Sequence, residues 1–188
     1  MLARKQGFTI VELLIVVVVI AILAAITVVA YNGIQTKAQN TKTTQALTEW
    51  VKILNMYKTH HGRWPAGWVC LGTGYLYGES GTDTSGTAQC RLTGTTGRLE
   101  DSGFNNAMKP FAGETMPTPS FVTAAANSTE WRRGLHYVYG GGGSGTEVYI
   151  NSVFKGDVTC PVHGISTGKS LWGGNTMCTN TLGYISDT

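Results

Sequence analysis

The sequence predicts an α+β protein: a long hydrophobic N-terminal helix that continues into an amphipathic helix packed on an antiparallel β-sheet, with two disulfide-closed loops. Three observations predict it. Residues 8–31 are almost wholly apolar; residues 35–58 switch to an amphipathic helical pattern; and the remainder alternates aromatic and β-branched runs with Gly-rich loops that carry all four cysteines. At 188 residues the chain has room for one membrane element and one modest globular domain. The expected division is a leader over 1–7, a hydrophobic helix over 8–31, and an exported globular domain over 32–188.

The first element is the stretch that organises the rest. A polar leader carrying Arg4 and Lys5 ends at Gly7, and Phe8-Thr9-Ile10-Val11-Glu12 leads into an uninterrupted apolar run from Leu13 to Ile26. At about 1.5 Å per residue, Leu13–Ala30 as a helix reaches roughly 27 Å, close to the hydrocarbon thickness of a bilayer. Basic residues before the run and almost no charge within it predict a cytoplasmic N-terminus and an exported remainder. Glu12 is the anomaly, because a carboxylate in a membrane helix costs roughly 2.5–3.5 kcal/mol near the centre and less near an interface. Were the chain cut after Gly7, the new amine of Phe8 would lie one helical turn away as a partner. A secretory signal peptide with a cut after Ala30 and a plain transmembrane anchor are the competing readings. The first leaves the long apolar core unexplained, and the second leaves the Gly-Phe-Thr-x-x-Glu order unexplained. A soluble buried helix would not be apolar all round for so long.

Gly7-Phe8-Thr9-Ile10-Val11-Glu12-Leu13-Leu14 resembles the class III signal of type IV pilins and related pseudopilins. The resemblance implies cleavage between Gly7 and Phe8 by a membrane prepilin peptidase, and methylation of the new Phe8 amine. It also implies that Glu12 meets a neighbouring subunit's N-terminus during filament assembly. The implied partners are other copies of the chain or related subunits, the peptidase, an assembly platform, and membrane lipid before assembly. The implied location is the cytoplasmic membrane for the precursor and the cell surface for the filament. Many members carry a Gly and a Pro within this helix; the matching positions here, Ala21 and Val29, hold neither.

Leu47, Trp50, Val51, Leu54 and Tyr57 follow helical spacing, with Thr44, Gln45, Glu49, Lys52 and Asn55 on other faces. Asn32-Gly33 could loosen the join, but no Pro interrupts it, so one long helix is expected. It ends at His60-His61-Gly62, ahead of Pro65. Tyr57 with Gly62-Arg63-Trp64-Pro65 also resembles the segment that closes the first helix in many pilins and pseudopilins.

Residues 66–103 read as a Gly/Thr/Ser-rich loop, Phe104–Pro110 as a short helix, and the surroundings of Pro117 and Pro119 as connecting loop. Leu135–Tyr139 and Glu147–Phe154 are the clearest strands, joined across Gly140–Gly145, with a third expected around Leu182–Ile185. Cys70, Cys90, Cys160 and Cys178 in an exported domain imply two disulfides, with three connectivities open. Pairing Cys70 with Cys90 and Cys160 with Cys178 is favoured because each pair closes a Gly-rich loop with little apolar content. The second pair also resembles the C-terminal disulfide loop of many pilins.

The other candidate constellations are weak. Gly140, Gly142 and Gly145 fit a dinucleotide fingerprint, but a strand follows where a helix is needed. Gly164-Ile165-Ser166-Thr167-Gly168 fits a nucleophile elbow, but no His follows it and Gly168, Gly173 and Gly174 oppose a helix. Cys160 and His163 could form half a zinc site with Cys178, but a disulfide is the better reading, and adjacent His60 and His61 should point apart. Arg132 and Arg133 beside Trp131, with Lys155 and Lys169, could form a nucleic-acid patch. The net charge of +3 includes Arg4 and Lys5, so a solvated loop beside a core Trp is preferred. Asn127-Ser128-Thr129 is a glycosylation-type sequon. No metal, cofactor or catalytic residue is expected, and the chain reads as a structural subunit.

Overall fold

A computed structural model of the chain describes residues 8–75, 89–93, 96–127 and 130–186. The chain divides into two compact units, the first ending at Lys37 and the second running from Ala38. One helix, α1 (Ile10–His61), follows Phe8 and Thr9 in the first unit and opens the second.

In the second unit α1 buries Thr43, Ala46, Leu47, Trp50, Ile53 and Leu54, a stripe at three- and four-residue spacing. The helix stops where the sequence indicates. Gly62 adopts φ 69° and donates its N–H to the Lys58 carbonyl at 2.8 Å, a left-handed terminus that a Cβ would disfavour. Lys58, His60 and His61 occupy the last turn, where the helix dipole favours positive charge.

Among the described residues nine strands follow: β1 (Trp68–Cys70), β2 (Gln89–Thr93), β3 (Thr96–Leu99), β4 (Thr123–Asn127), β5 (Glu130–Arg133), β6 (Leu135–Gly141), β7 (Glu147–Phe154), β8 (Ser166–Trp172) and β9 (Asn175–Tyr184). They form a five-stranded sheet ordered β1-β6-β7-β9-β8 and a four-stranded sheet ordered β3-β2-β5-β4. Every named ladder is antiparallel. A second helix, α2 (Ser102–Ala112), lies between β3 and β4; Asp101 caps it by accepting from the Phe104 N–H at 2.9 Å.

The main core joins α1 to α2 and to the five-stranded sheet. Leu47, Trp50 and Leu54 share it with Phe104, Met108, Leu135, Tyr137, Val148 and Ile150. Trp50 is fully buried, and its indole N–H reaches the Pro117 carbonyl at 2.8 Å.

The long helix, the terminator at Gly62, the β6–β7 hairpin and α2 stand as the sequence indicates. Cys70 bonds Cys90 and Cys160 bonds Cys178. Three expectations need correction. The 66–103 loop contains β1, β2 and β3, though its 76–88 portion lies outside the described residues. The polar stretch after Pro119 forms β4 and β5. The third strand is longer than expected and pairs on its other side with an unforeseen strand, β8. The physical reason common to all three is that these strands are held by ladder partners, with β1, β2 and β9 also tied by disulfides, so they need little apolar alternation of their own.

Candidate functional site

At the start of α1, Thr9 and Glu12 satisfy each other. The Glu12 carboxylate accepts from the Thr9 backbone N–H at 2.9 Å and from its hydroxyl at 2.7 Å, while Thr9 Oγ1 accepts from the Glu12 N–H at 3.3 Å. This is a reciprocal capping box, which gives two orphan amides of the helix end a partner. The sequence signal for it is Thr-x-x-Glu ahead of an apolar run, with Thr9 as the cap.

Beyond the cap, Ile10, Leu14, Val16, Ile20, Leu23 and Ile26 are all exposed. The helix is long and apolar enough to cross a membrane. Thr27, the interruption in the apolar run, returns its hydroxyl to the Ala24 carbonyl at 3.0 Å, so its polar group has a partner within the helix. Phe8 is exposed ahead of the cap. Gly7, Arg4 and Lys5 lie outside the described residues.

The remaining constellations resolve into structure. Gly140, Gly142 and Gly145 all have positive φ and turn the chain from β6 into β7. Ser166 opens strand β8, so no strand–elbow–helix exists there. Cys160 and Cys178 form a disulfide, and the His163 ring lies 3.3 Å from Thr48 Oγ1. The His60 and His61 rings, expected to point apart, pack edge to face with centroids 4.6 Å apart, each also against Phe111. Trp131, Arg132 and Arg133 are buried on β5, which corrects both the solvated-loop reading and the exposed patch. Lys169 pairs instead with Asp157. Of the sequon, Ser128 and Thr129 lie outside the described residues.

A capped helix with exposed apolar side chains, long and apolar enough to cross a membrane, that continues into a disulfide-bonded α+β domain defines a class by architecture. Comparison with known proteins narrows it. Residues 2–28 match the prokaryotic N-terminal methylation motif. The chain is similar to a fimbrial protein of Neisseria meningitidis serogroup A / serotype 4A (strain DSM 15465 / Z2491), 28% identical over 109 residues, or 56% of this chain and 61% of that protein. It is also similar to the type II secretion system core protein G of Pectobacterium carotovorum subsp. carotovorum, 32% identical over 63 residues, or 34% of this chain and 40% of that protein. Each match therefore spans less than two thirds of the relative. No solved structure matches the chain.

Proposed function

We propose that the chain is the precursor of a type IV pilin-like structural subunit. Prepilin peptidase cuts between Gly7 and Phe8 and methylates the Phe8 amine. Residues 8–31 hold the subunit in the cytoplasmic membrane with the N-terminus inside. An assembly platform then moves it into a surface filament of its own kind or of related subunits. The observation that carries this reading is that the methylation motif falls on a helix whose apolar side chains are exposed, with Glu12 at its capped end. Such a surface is covered by lipid before assembly and by neighbouring helices after it.

In this mechanism assembly is the function and Glu12 sets the register. Thr9 occupies one carboxylate oxygen, which leaves acceptor capacity for the Phe8 amine of a neighbouring subunit. A subunit out of register would bury a charge without that partner, which is strongly unfavourable. The similarity to protein G favours a second reading, a pseudopilin of a secretion or uptake machine, with the disulfide-bonded loops as contact surfaces.

The test is to shear filaments from expressing cells and weigh the intact subunit with and without reduction. A mass for residues 8–188 plus one methyl, four hydrogens lighter before reduction, supports the first reading; the mature form in membranes alone supports the second. An uncut chain, or one cut after Ala30, overturns both. Glu12→Ala is expected to be processed but absent from the sheared fraction, and normal filaments in that variant remove the register role.

A further inference from the structure

The two faces of α2 differ. Phe104 and Met108 are buried in the main core, with Phe111 packed against it. Ser102, Asn105, Asn106 and Lys109, at three- and four-residue spacing, share another face. All four line a pocket of about 620 Å³, a volume usual for small-molecule sites. Leu99 and Glu100 at the end of β3, with Glu114 and Met116 beyond α2, supply most of the remaining wall.

Asn105 is the residue that packing alone does not explain. It is 8% exposed, and its Oδ1 is buried with no hydrogen-bond partner among the described residues. Asparagine is a poorer helix former than alanine or leucine, and a buried carbonyl oxygen without a partner is costly. Leucine at this position would avoid both penalties. The side-chain amide can turn about its last bond, which exchanges oxygen with nitrogen, so it can offer either an acceptor or a donor to a molecule in the pocket.

The chemistry around Asn105 selects the kind of molecule. Glu100 accepts from the Tyr75 N–H at 2.6 Å through one oxygen, which leaves the other to offer. Glu114 and Lys109 bring one charge of each sign to the C-terminal end of α2. An anionic ligand would meet the two glutamates, and an amine would meet Lys109. Among the described residues no aromatic side chain lines the pocket, so a nucleobase has no ring to stack on. Neutral hydroxyl groups fit, because each both donates and accepts, and so matches Ser102, the two amides and the carboxylates together. Leu99, 44% exposed, and Met116 offer apolar surface that the C–H face of a sugar ring would cover. From Ser102 to Lys109 the helix face runs for about 10 Å, so the ligand lies along it.

We propose that the pocket beside α2 binds a neutral saccharide of one or two sugar units, with Asn105, Asn106 and Glu100 taking its hydroxyls. This assignment is independent of how the N-terminal helix is used.

The test is a nuclear magnetic resonance titration of the full-length chain in amine-oxide micelles, which carry no sugar of their own. Galactose, N-acetylglucosamine and lactose are each added, with triglycine as the peptide alternative, and the side-chain amide signals of Asn105 and Asn106 are followed. At least one saccharide is expected to shift both saturably, with one molecule bound per chain. Binding should weaken roughly tenfold or more in Asn105→Leu and in Asn106→Ala, each read through the remaining amide, and stay unchanged in Lys169→Gln. Without saccharide, Asn105→Leu should unfold at the temperature of the parent chain or above it, because no hydrogen bond of its Oδ1 is lost; an asparagine retained for structure would leave the variant less stable. No saturable shift with any saccharide, a saturable response to triglycine alone, unchanged affinity in Asn106→Ala, or a destabilised Asn105→Leu overturns the proposal.

Discussion

Asn40 clamps the backbone of Lys155 from both sides. Its amide donates to the Lys155 carbonyl at 3.0 Å, and its Oδ1 accepts from the Lys155 N–H at 2.8 Å. Lys155 directly follows β7, so this one side chain ties α1 to the end of a central strand. Each such bond contributes about 0.5–1.5 kcal/mol net. Asn40→Ala is expected to lower unfolding stability by about 1–3 kcal/mol, and Asn40→Asp, which keeps the acceptor, by less. Urea unfolding of the full-length chain followed by Trp fluorescence checks the order.

Trp50 combines full burial with a hydrogen bond to Pro117. Trp50→Phe keeps much of the apolar volume but strands the Pro117 carbonyl, so a loss of about 1–3 kcal/mol is expected. Trp50→Ala opens a cavity against Phe104 and Leu135 and should cost about 3–5 kcal/mol. Equal losses in the two variants would show that packing contributes nothing beyond the hydrogen bond.

Tyr75 is a buried post. Its hydroxyl accepts from the Leu135 N–H at 3.0 Å and lies 3.0 Å from both the Leu71 and Leu135 carbonyls. Burial pushes its pKa well above the ordinary tyrosine value of 10.0. The unfolded chain therefore loses this proton first, so stability is full below about pH 10 and falls as pH rises past it. Tyr75→Phe should lower stability at pH 7 by about 1–3 kcal/mol while flattening part of the alkaline decline. An alkaline limb identical to that of the parent chain would assign it elsewhere.

His136 gives the opposite limb. Burial, and then the positive charges of Arg91, Arg132 and Arg98, hold its folded pKa below the ordinary 6.5, so below that pH the unfolded chain takes up a proton that the folded chain refuses. Stability is then full above about pH 6.5 and falls with decreasing pH, by up to about 1.4 kcal/mol per unit. The less buried His163 is shifted in the same direction by desolvation. In buffer free of phosphate and sulfate, His136→Gln should reduce the slope between pH 6.5 and 5, before carboxylates dominate. An unchanged slope in that variant would remove His136 as its source.

Removing the Cys160–Cys178 bond as a paired serine variant should cost about 3 kcal/mol on the chain-entropy account for a loop of 18 residues. It should also admit protease between β7 and β9. Limited proteolysis of parent and variant compares the two, and equal cleavage rates would show that the β8–β9 ladder suffices.

Much of this was legible in the sequence. The 3.6-residue stripe from Leu47 to Leu54, Gly62 ahead of Pro65, and the aromatic runs of β6 and β7 each carry a local signal that agrees with its tertiary role. β8 does not: Ser166–Trp172 is mostly exposed, and β9 defines it more than its own composition does. Arg132 and Arg133 are harder still, because charged side chains indicate solvent by every local rule, while Glu130, the oxygens of Leu92, Thr93, Trp131 and Thr123, and the rings of Trp172 and Trp131 hold them inside. At the N-terminus, Glu12 stood out as a misplaced charge; that Thr9 partners it follows from spacing already visible.

β8 has a consequence of its own. As the outer strand beside β9 it presents unpaired backbone groups to any neighbour, and such edges template unwanted strand addition. Its outward residues include Lys169, an exposed charge, and its partner on the chain is the likewise exposed Asp157. For a subunit proposed to polymerise through its helix and crowd its domains side by side, that charged rim discourages the sheets from polymerising as well.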